Sequence, residues 1–356
     1  MINEILSKAE HRADLTKTDI VRLLSIENPA QMQRLFDLAD LIRKENVGDE
    51  VHLRGLVEFS NYCRKGCYYC GLRRSNAFLD RYRMEIDEIL DTVDLAQALG
   101  YKTVVLQSGE DNYYTLDRLV YLVKQIKQRT KLAITLSIGE LPRHYYEELF
   151  ETGADRYLLR FETSNPDLYT RLHPDSRFEH RLTVLKWLKE IGYEVGSGVM
   201  IGLPGQTLED LAGDILSFKK LDLDMIGVGP YISHPNTPLN GEPNGTVEMT
   251  LKVVALSRIV TKDTNIPATT ALATLKPEDG REMALEAGAN VLMPNVTPIK
   301  YRAMYELYPD KVCIGEGSNQ CWHCTQLRIA GIGRELGRDS GVSPHKNQKR
   351  LGLSSC

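Results

Sequence analysis

Three cysteines, Cys63, Cys67 and Cys70 in the string CRKGCYYC, are the residues of this chain whose type and spacing speak most directly of chemistry. Thiolates at that spacing can hold three corners of a four-iron cluster, leaving the fourth iron free to chelate a small molecule through an amine and a carboxylate. Tyr69, just before the last cysteine, is placed to shield such a cluster. Two plainer readings stand beside this one. Structural zinc wants four ligands, and the nearest histidines, His11 and His52, fit no usual zinc spacing. A local disulfide leaves one cysteine over, and the stretch MINEILSKAEHRADLTKTD reads as a charged amphipathic helix instead of a secretory signal into an oxidising compartment.

Reactive thiolates need a rigid frame, and short apolar strands alternating with helical patterns supply one. Two amphipathic helical stretches run to about Asn46, with Thr16 and Thr18 as caps between them. Then come VHLRGLVEF, TVVLQS, LAITLS, RYLLRF, EVGSGVMI, MIGVGP, IPATTAL and NVLMP, most followed by a turn and a segment of helical period such as DEILDTVDLAQALG. This rhythm predicts an α/β fold, a full (β/α)8 TIM barrel with an N-terminal helical extension and a C-terminal irregular segment. Such barrels carry their reactive groups after the strands, and the cysteine triplet follows the first.

Polar residues recur at equivalent places. QSGED starts at Gln107 after the second strand, Thr135, Ser137, Gly139 and Glu140 mark the third, and Arg160 and Glu162 the fourth. Met200 to Gly205, Pro230 to His234, Thr269 with Thr270, and Asn295 with Thr297 mark the remaining four. A buried polar group without a partner costs roughly 1–3 kcal/mol, so these residues are expected to converge on one cavity. His234 and Asn236 read as loop structure. From Cys313 onward the rhythm stops, and GEGSNQ, GIGRELGRDSG and KNQKRLGLSSC read as a surface tail, partly mobile near its end. One domain is expected over 1–356, with N-terminal helices over 1–48, the barrel over 49–310 and the remainder over 311–356.

With 356 residues, 42% of them hydrophobic, the chain can bury a large core. A net charge of -4 without long blocks of like charge speaks against nucleic acid as a substrate. No apolar stretch approaches the roughly 20 residues that span a bilayer. A cytoplasmic monomer with reduced thiols is the expectation.

The C-x3-C-x2-C spacing with its aromatic residue resembles the signature of radical S-adenosylmethionine (SAM) enzymes. Ten collinear strings narrow the likeness to the HydE type, the maturases that help assemble the di-iron centre of iron-iron hydrogenases. They are VEFSNYCRKGCYYCGLRR, RYRM, VVLQSGEDNYY, LSIGE, GADRYLLRFET, GLPGQT, IGVGPYISHPNTPL, NIPATTA, GANVLMPNVTP and YRAMYELYP. In that superfamily a reduced 4Fe-4S cluster injects an electron into the sulfonium of SAM, giving methionine and a 5'-deoxyadenosyl radical.

The resemblance implies Cys63, Cys67 and Cys70 as cluster ligands, and Tyr69, Gln107, Ser108, Gly109, Glu110, Arg160, Met200, Pro230 and Ile232 around SAM. Glu162 would hold the ribose hydroxyls and Arg181 the SAM carboxylate, a task for its two-pronged donor geometry. Ordinary ion pairing is the plainer reading for both. The resemblance also implies an anion-binding substrate lining of Thr135, Arg156, Arg160, Thr269, Thr270, Tyr301 and Tyr305. Arginines facing a dry interior need a negative partner, while strand packing explains Thr269 and Thr270 equally well. Cys313, Cys321 and Cys324 resemble an accessory Fe-S cluster site, expected on the surface far from the chemistry. The adjacent His323 keeps a mixed zinc site open. Cys356 reads as a free thiol.

By the same resemblance, the substrate is a small organometallic or amino-acid-like molecule: an iron complex of cysteine, carbon monoxide and cyanide, attacked by the radical at the cysteine sulfur. A partner maturase would deliver it and a reductant protein would supply electrons. The family's fourth strand often ends RHET where this chain has RFET, so Phe161 takes the place of a histidine that could be an iron ligand or proton carrier. Two rivals remain: a methylornithine synthase, which rearranges lysine on the same topology, and a scaffold that binds a cluster without turnover. Glu110, Glu162 and Arg181 argue against the scaffold.

Overall fold

The computed structural model describes residues 2–344 and 346. Its first 48 residues form three helices, Ile2–Glu10, Lys17–Leu24 and Pro29–Val47, one more than the periodicity suggests. Thr16 caps the second through a reciprocal pair of bonds with Asp19. The extra break lies at Asn28, whose side chain accepts from Ala30 N and Gln31 N ahead of Pro29 at the first helical turn.

The strands are β1 (Glu50–Ser60), β2 (Thr103–Ser108), β3 (Ala133–Ser137), β4 (Arg156–Leu158), β5 (Glu194–Ile201), β6 (Met225–Pro230), β7 (Val291–Leu292) and β8 (Glu335–Leu336). They pair in parallel in the order β6-β5-β4-β3-β2-β1-β7, a curved half-barrel of seven strands in an α/β fold, with β8 added beside the start of β1. Amphipathic helices cover the outside; Ile86–Ala98 buries Ile89, Leu90, Val93 and Ala96. The expected strand IPATTAL is absent as a regular element. Asn265, Pro267 and Ala268 make only single parallel bridges, to Met225, Val291 and Val228. Pro267 has no N–H to give a ladder, and Thr270–Leu275 turns into a helix.

Strand side chains alternate between faces, and the inward set is stacked in two layers. Arg54, Thr135, Arg156 and Glu194 surround a space of about 10 Å3 at the floor. Above it Leu56, Glu58, Leu158, Arg160 and Met200 line a cavity of about 790 Å3. Small residues make the room: a Cβ on Gly227 would meet nothing closer than Ser197 O at 3.7 Å.

The segment read as a surface tail instead closes the floor. After the helix Ser318–Gly331 and β8, the carbonyl of Ser340 accepts from Thr103 and Arg156, and that of Gly341 from Arg54 and Asn265. Ser343 N donates to Glu194. Gly337 and Gly341 permit this approach, since a Cβ on either would lie 2.4 or 2.6 Å from the His52 ring. Residues 347–356, with Cys356, lie outside the described residues.

Candidate active site

The loop beyond β1 holds Cys63, Cys67 and Cys70 at the cavity wall. Arg81 organises it from within, donating to the carbonyls of Asn61, Leu72, Arg73 and Asn76. Asn61 pins both ends, donating to Asp80 O and Met304 O and accepting from Tyr82 N. Two glycines let the loop sit close to its neighbours: a Cβ on Gly71 would lie 2.0 Å from Glu306 O, and one on Gly109 2.2 Å from Tyr62 O.

Burial pushes the Cys67 thiol up to about 12 and raises Cys63 and Cys70 too. Such thiols ionise only against a strong positive charge, which a metal centre supplies. Sulfurs about 2.3 Å from a tetrahedral zinc lie only about 3.8 Å apart. Among the described residues, neither cysteine set gathers its three Sγ atoms within 4.8 Å of one another. Tyr69 OH lies 2.9 Å from His173 Nε2, and His173 Nδ1 lies 2.9 Å from Tyr169 O. Burial holds that imidazole down at about 4, with Arg181 adding to the effect. It is therefore neutral, its Nδ1–H donating to the carbonyl and its Nε2 accepting the Tyr69 hydroxyl.

Beside the cysteines runs a chain of paired charges. Glu110 lies 3.0 Å from Arg64 and accepts from Glu140 N. Glu140 takes Arg181 at 2.7 Å and Lys65 at 3.2 Å. Burial raises the Glu140 carboxyl, but Arg181 and Lys65 outweigh it and the net shift is downward. Arg160 lies 3.0 Å from Glu162, whose carboxyl burial pushes up against Arg160 and Arg181. Glu162 has φ 64, a conformation that costs a non-glycine residue on the order of 1–3 kcal/mol. Its bonds to β5, from its N to Gly198 O and from Met200 N to its O, hold it there.

Of the sequence candidates, the cavity brings together Tyr69, Gln107, Ser108, Gly109, Glu110, Arg160, Glu162, Arg181, Met200, Pro230, Ile232, Thr269, Thr270 and Tyr305 with the three cysteines. Thr269 Oγ1 is buried there without a hydrogen-bond partner among the described residues. Three candidates lie elsewhere. Thr135 and Arg156 sit one layer lower, where Arg156 pairs with Glu194 and needs no ligand to balance it. Tyr301 is outside, stacked on Tyr82 and donating to Glu88. Phe161 also turns away, packing on Phe218, because Arg160 and Glu162 take the inward positions on either side of it.

Cys313, Cys321 and Cys324 also border this cavity. Cys321 is buried and Cys324 exposed. The neighbouring Cys321 thiol draws the Cys313 thiol down, with help from Arg281. Sequence reasoning misses Glu58, Lys311 and His173. Strand parity counted from Arg54 and Leu56 points to Glu58; no local signal marks the other two.

The Radical SAM superfamily matches residues 57–218. The chain is 54% identical over 338 residues, 95% of its length and 96% of the relative's, to the [FeFe] hydrogenase maturase subunit HydE of Thermotoga maritima. Among solved structures, a methylornithine synthase (PylB) has a TM-score of 0.83 at 26% identity, covering 98% of this chain and 99% of that one. The FeFe-hydrogenase maturase HydG from Carboxydothermus hydrogenoformans has a TM-score of 0.74 at 26% identity, covering 82% and 70%.

Proposed function

The chain belongs to the radical SAM superfamily and, within it, to the HydE hydrogenase maturases, and from that premise we propose that it acts on a cysteine-bearing iron complex with carbon monoxide and cyanide ligands. Cys63, Cys67 and Cys70 would hold the 4Fe-4S cluster, which when bound supplies the electron that cleaves SAM to methionine and the 5'-deoxyadenosyl radical. The remaining tasks fall to the chain's own side chains. Arg181, steadied by Glu140, grips the SAM carboxylate, and the edge from Ser108 to Glu110 receives the amino group. Glu162 accepts the ribose hydroxyls, with Arg160 beside it. Tyr69, Gln107, Met200, Pro230 and Ile232 complete the enclosure and exclude water. The substrate lining is Arg160, Thr269, Thr270 and Tyr305, and the unpaired Thr269 hydroxyl supports it.

The bridges of residues 265–268 to β6 and β7 support a ring closed as a full (β/α)8 barrel, within one domain of N-terminal helices, barrel and accessory segment. We assign a second Fe-S cluster to Cys313, Cys321 and Cys324, supported by the Arg281 and Arg302 guanidinium groups against the Cys313 and Cys321 sulfurs, which favour their thiolates. Thiolates kept for two clusters suit a reducing compartment, hence the cytoplasm. A monomer that meets a reductant protein and partner maturases transiently completes the picture.

The observation that carries this reading is the convergence of the cysteine loop with Glu110, Glu162 and Arg181 on one cavity, Arg181 being held there by Glu140. The test is anaerobic. Reconstituted, dithionite-reduced protein should give an electron paramagnetic resonance signal that shifts on adding SAM, and the iron complex should yield an adenosylated product. No SAM response would leave a scaffold; a SAM response without that product would remove the substrate. The likeness to methylornithine synthase favours lysine as the second reading, and deuterium passing from labelled lysine into 5'-deoxyadenosine would support it.

A further inference from the structure

Glu58, inward on β1, and Lys311, just before Cys313, face each other across the cavity wall with Nζ 2.5 Å from Oε1. They are 1% and 9% exposed. Asn295 donates to the other Glu58 oxygen at 2.7 Å. Lys311 has one further acceptor, Tyr305 O at 3.4 Å, so one ammonium hydrogen has no acceptor among the described residues. Glu58 retains lone pairs on both oxygens.

A buried ion pair is a poor device for stability, since apolar residues of the same volume often do as well or better. This one borders a space of about 790 Å3 that can admit a ligand. It sets one fixed negative and one fixed positive group side by side, the complement of the ammonium and carboxylate of an α-amino acid.

We propose that Glu58 and Lys311 form a zwitterion subsite, Glu58 accepting from the ammonium and Lys311 donating to the carboxylate of the amino-acid ligand that the substrate carries. This rests on the cysteine-bearing substrate proposed above. Neither residue bonds covalently to substrate; they position it.

Titration calorimetry on the reconstituted, SAM-loaded enzyme tests it with L-cysteine, cysteamine and 3-mercaptopropionate. All three share the thiol, so differences between them report the charged ends. The wild type should bind L-cysteine at least roughly 10-fold more tightly than either truncated probe, as expected of charge-assisted bonds. Lys311→Met should weaken L-cysteine roughly 10- to 100-fold while changing cysteamine little, and Glu58→Gln should do the same relative to 3-mercaptopropionate. Equal affinity of the wild type for all three probes, or an unchanged preference in both variants, overturns the proposal. If a single charge left behind unfolds the protein, Glu58→Gln/Lys311→Met removes both, and its paramagnetic response to SAM reports the fold. That double variant binding L-cysteine as the wild type does overturns the proposal equally. A wild type that prefers L-cysteine but gives no SAM response would sink the radical reading instead.

Discussion

Tyr69 keeps its place over the cysteine loop through a histidine that must stay neutral. The folded His173 value, about 4, lies below the ordinary 6.5, so between those values the unfolded chain takes up a proton that the folded chain refuses. The resulting stability is fully present above pH 6.5 and is lost as pH falls toward 4, by up to about 3 kcal/mol. The urea midpoint of the wild type should therefore drop more between pH 6.5 and 5 than that of His173→Gln; parallel curves would mean that the folded imidazole is charged. At the cysteines, Cys67→Ala should abolish SAM cleavage and Cys321→Ala should leave most of it, measured as 5'-deoxyadenosine. Cleavage retained by Cys67→Ala would sink the site. The triplet is legible because three thiols at that spacing have few other uses. His173 is not, because it ends the short helix Pro166–Leu172 and meets Tyr69 only through the fold.

Elements decide which residues reach the cavity and at what height. Alternation along β1 sends Arg54, Leu56 and Glu58 inward, and the same parity, continued past the end of β4, turns Phe161 outward. Parity is readable from an apolar run, but height is not, which is why Thr135 and Arg156 belong to the floor layer. The seventh expected strand fails for a local reason, the missing N–H of Pro267. The turn after β2 offers an element-scale test. A Cβ on Gly109 would lie 2.2 Å from Tyr62 O and 2.7 Å from Cys63 Cβ. Gly109→Ala must displace the cysteine loop, and is expected to lower iron content at the first cluster by more than about half while the circular dichroism stays native. Gly227→Ala, whose Cβ would meet nothing closer than Ser197 O at 3.7 Å, should keep its iron. Equal iron content in the two variants would show that the loop adapts and that the tight approach is dispensable.

For the whole molecule, a cavity in the upper part of the half-barrel requires a sealed lower part, since water admitted from below would weaken every charge pair that holds the site. The seal comes from the segment that Gly and Ser content made look like a loose tail. Small residues there serve close approach, with Gly341 at φ 62 and its carbonyl facing Arg54 and Asn265. Composition reports flexibility and close packing in the same letters, so only the partners distinguish them. Those partners also set the expected effect of removing the segment. A chain ending at Arg338 leaves Arg54, Arg156, Thr103 and Asn265 without the carbonyls of Ser340 and Gly341, and Glu194 without the N–H of Ser343. At roughly 1–3 kcal/mol for each orphaned buried group, partly relieved by entering water, the loss in unfolding free energy should be about 4 kcal/mol or more by urea titration. If the truncated chain unfolds at the full-length midpoint, the floor is sealed by the half-barrel's own side chains and the segment merely rests on it.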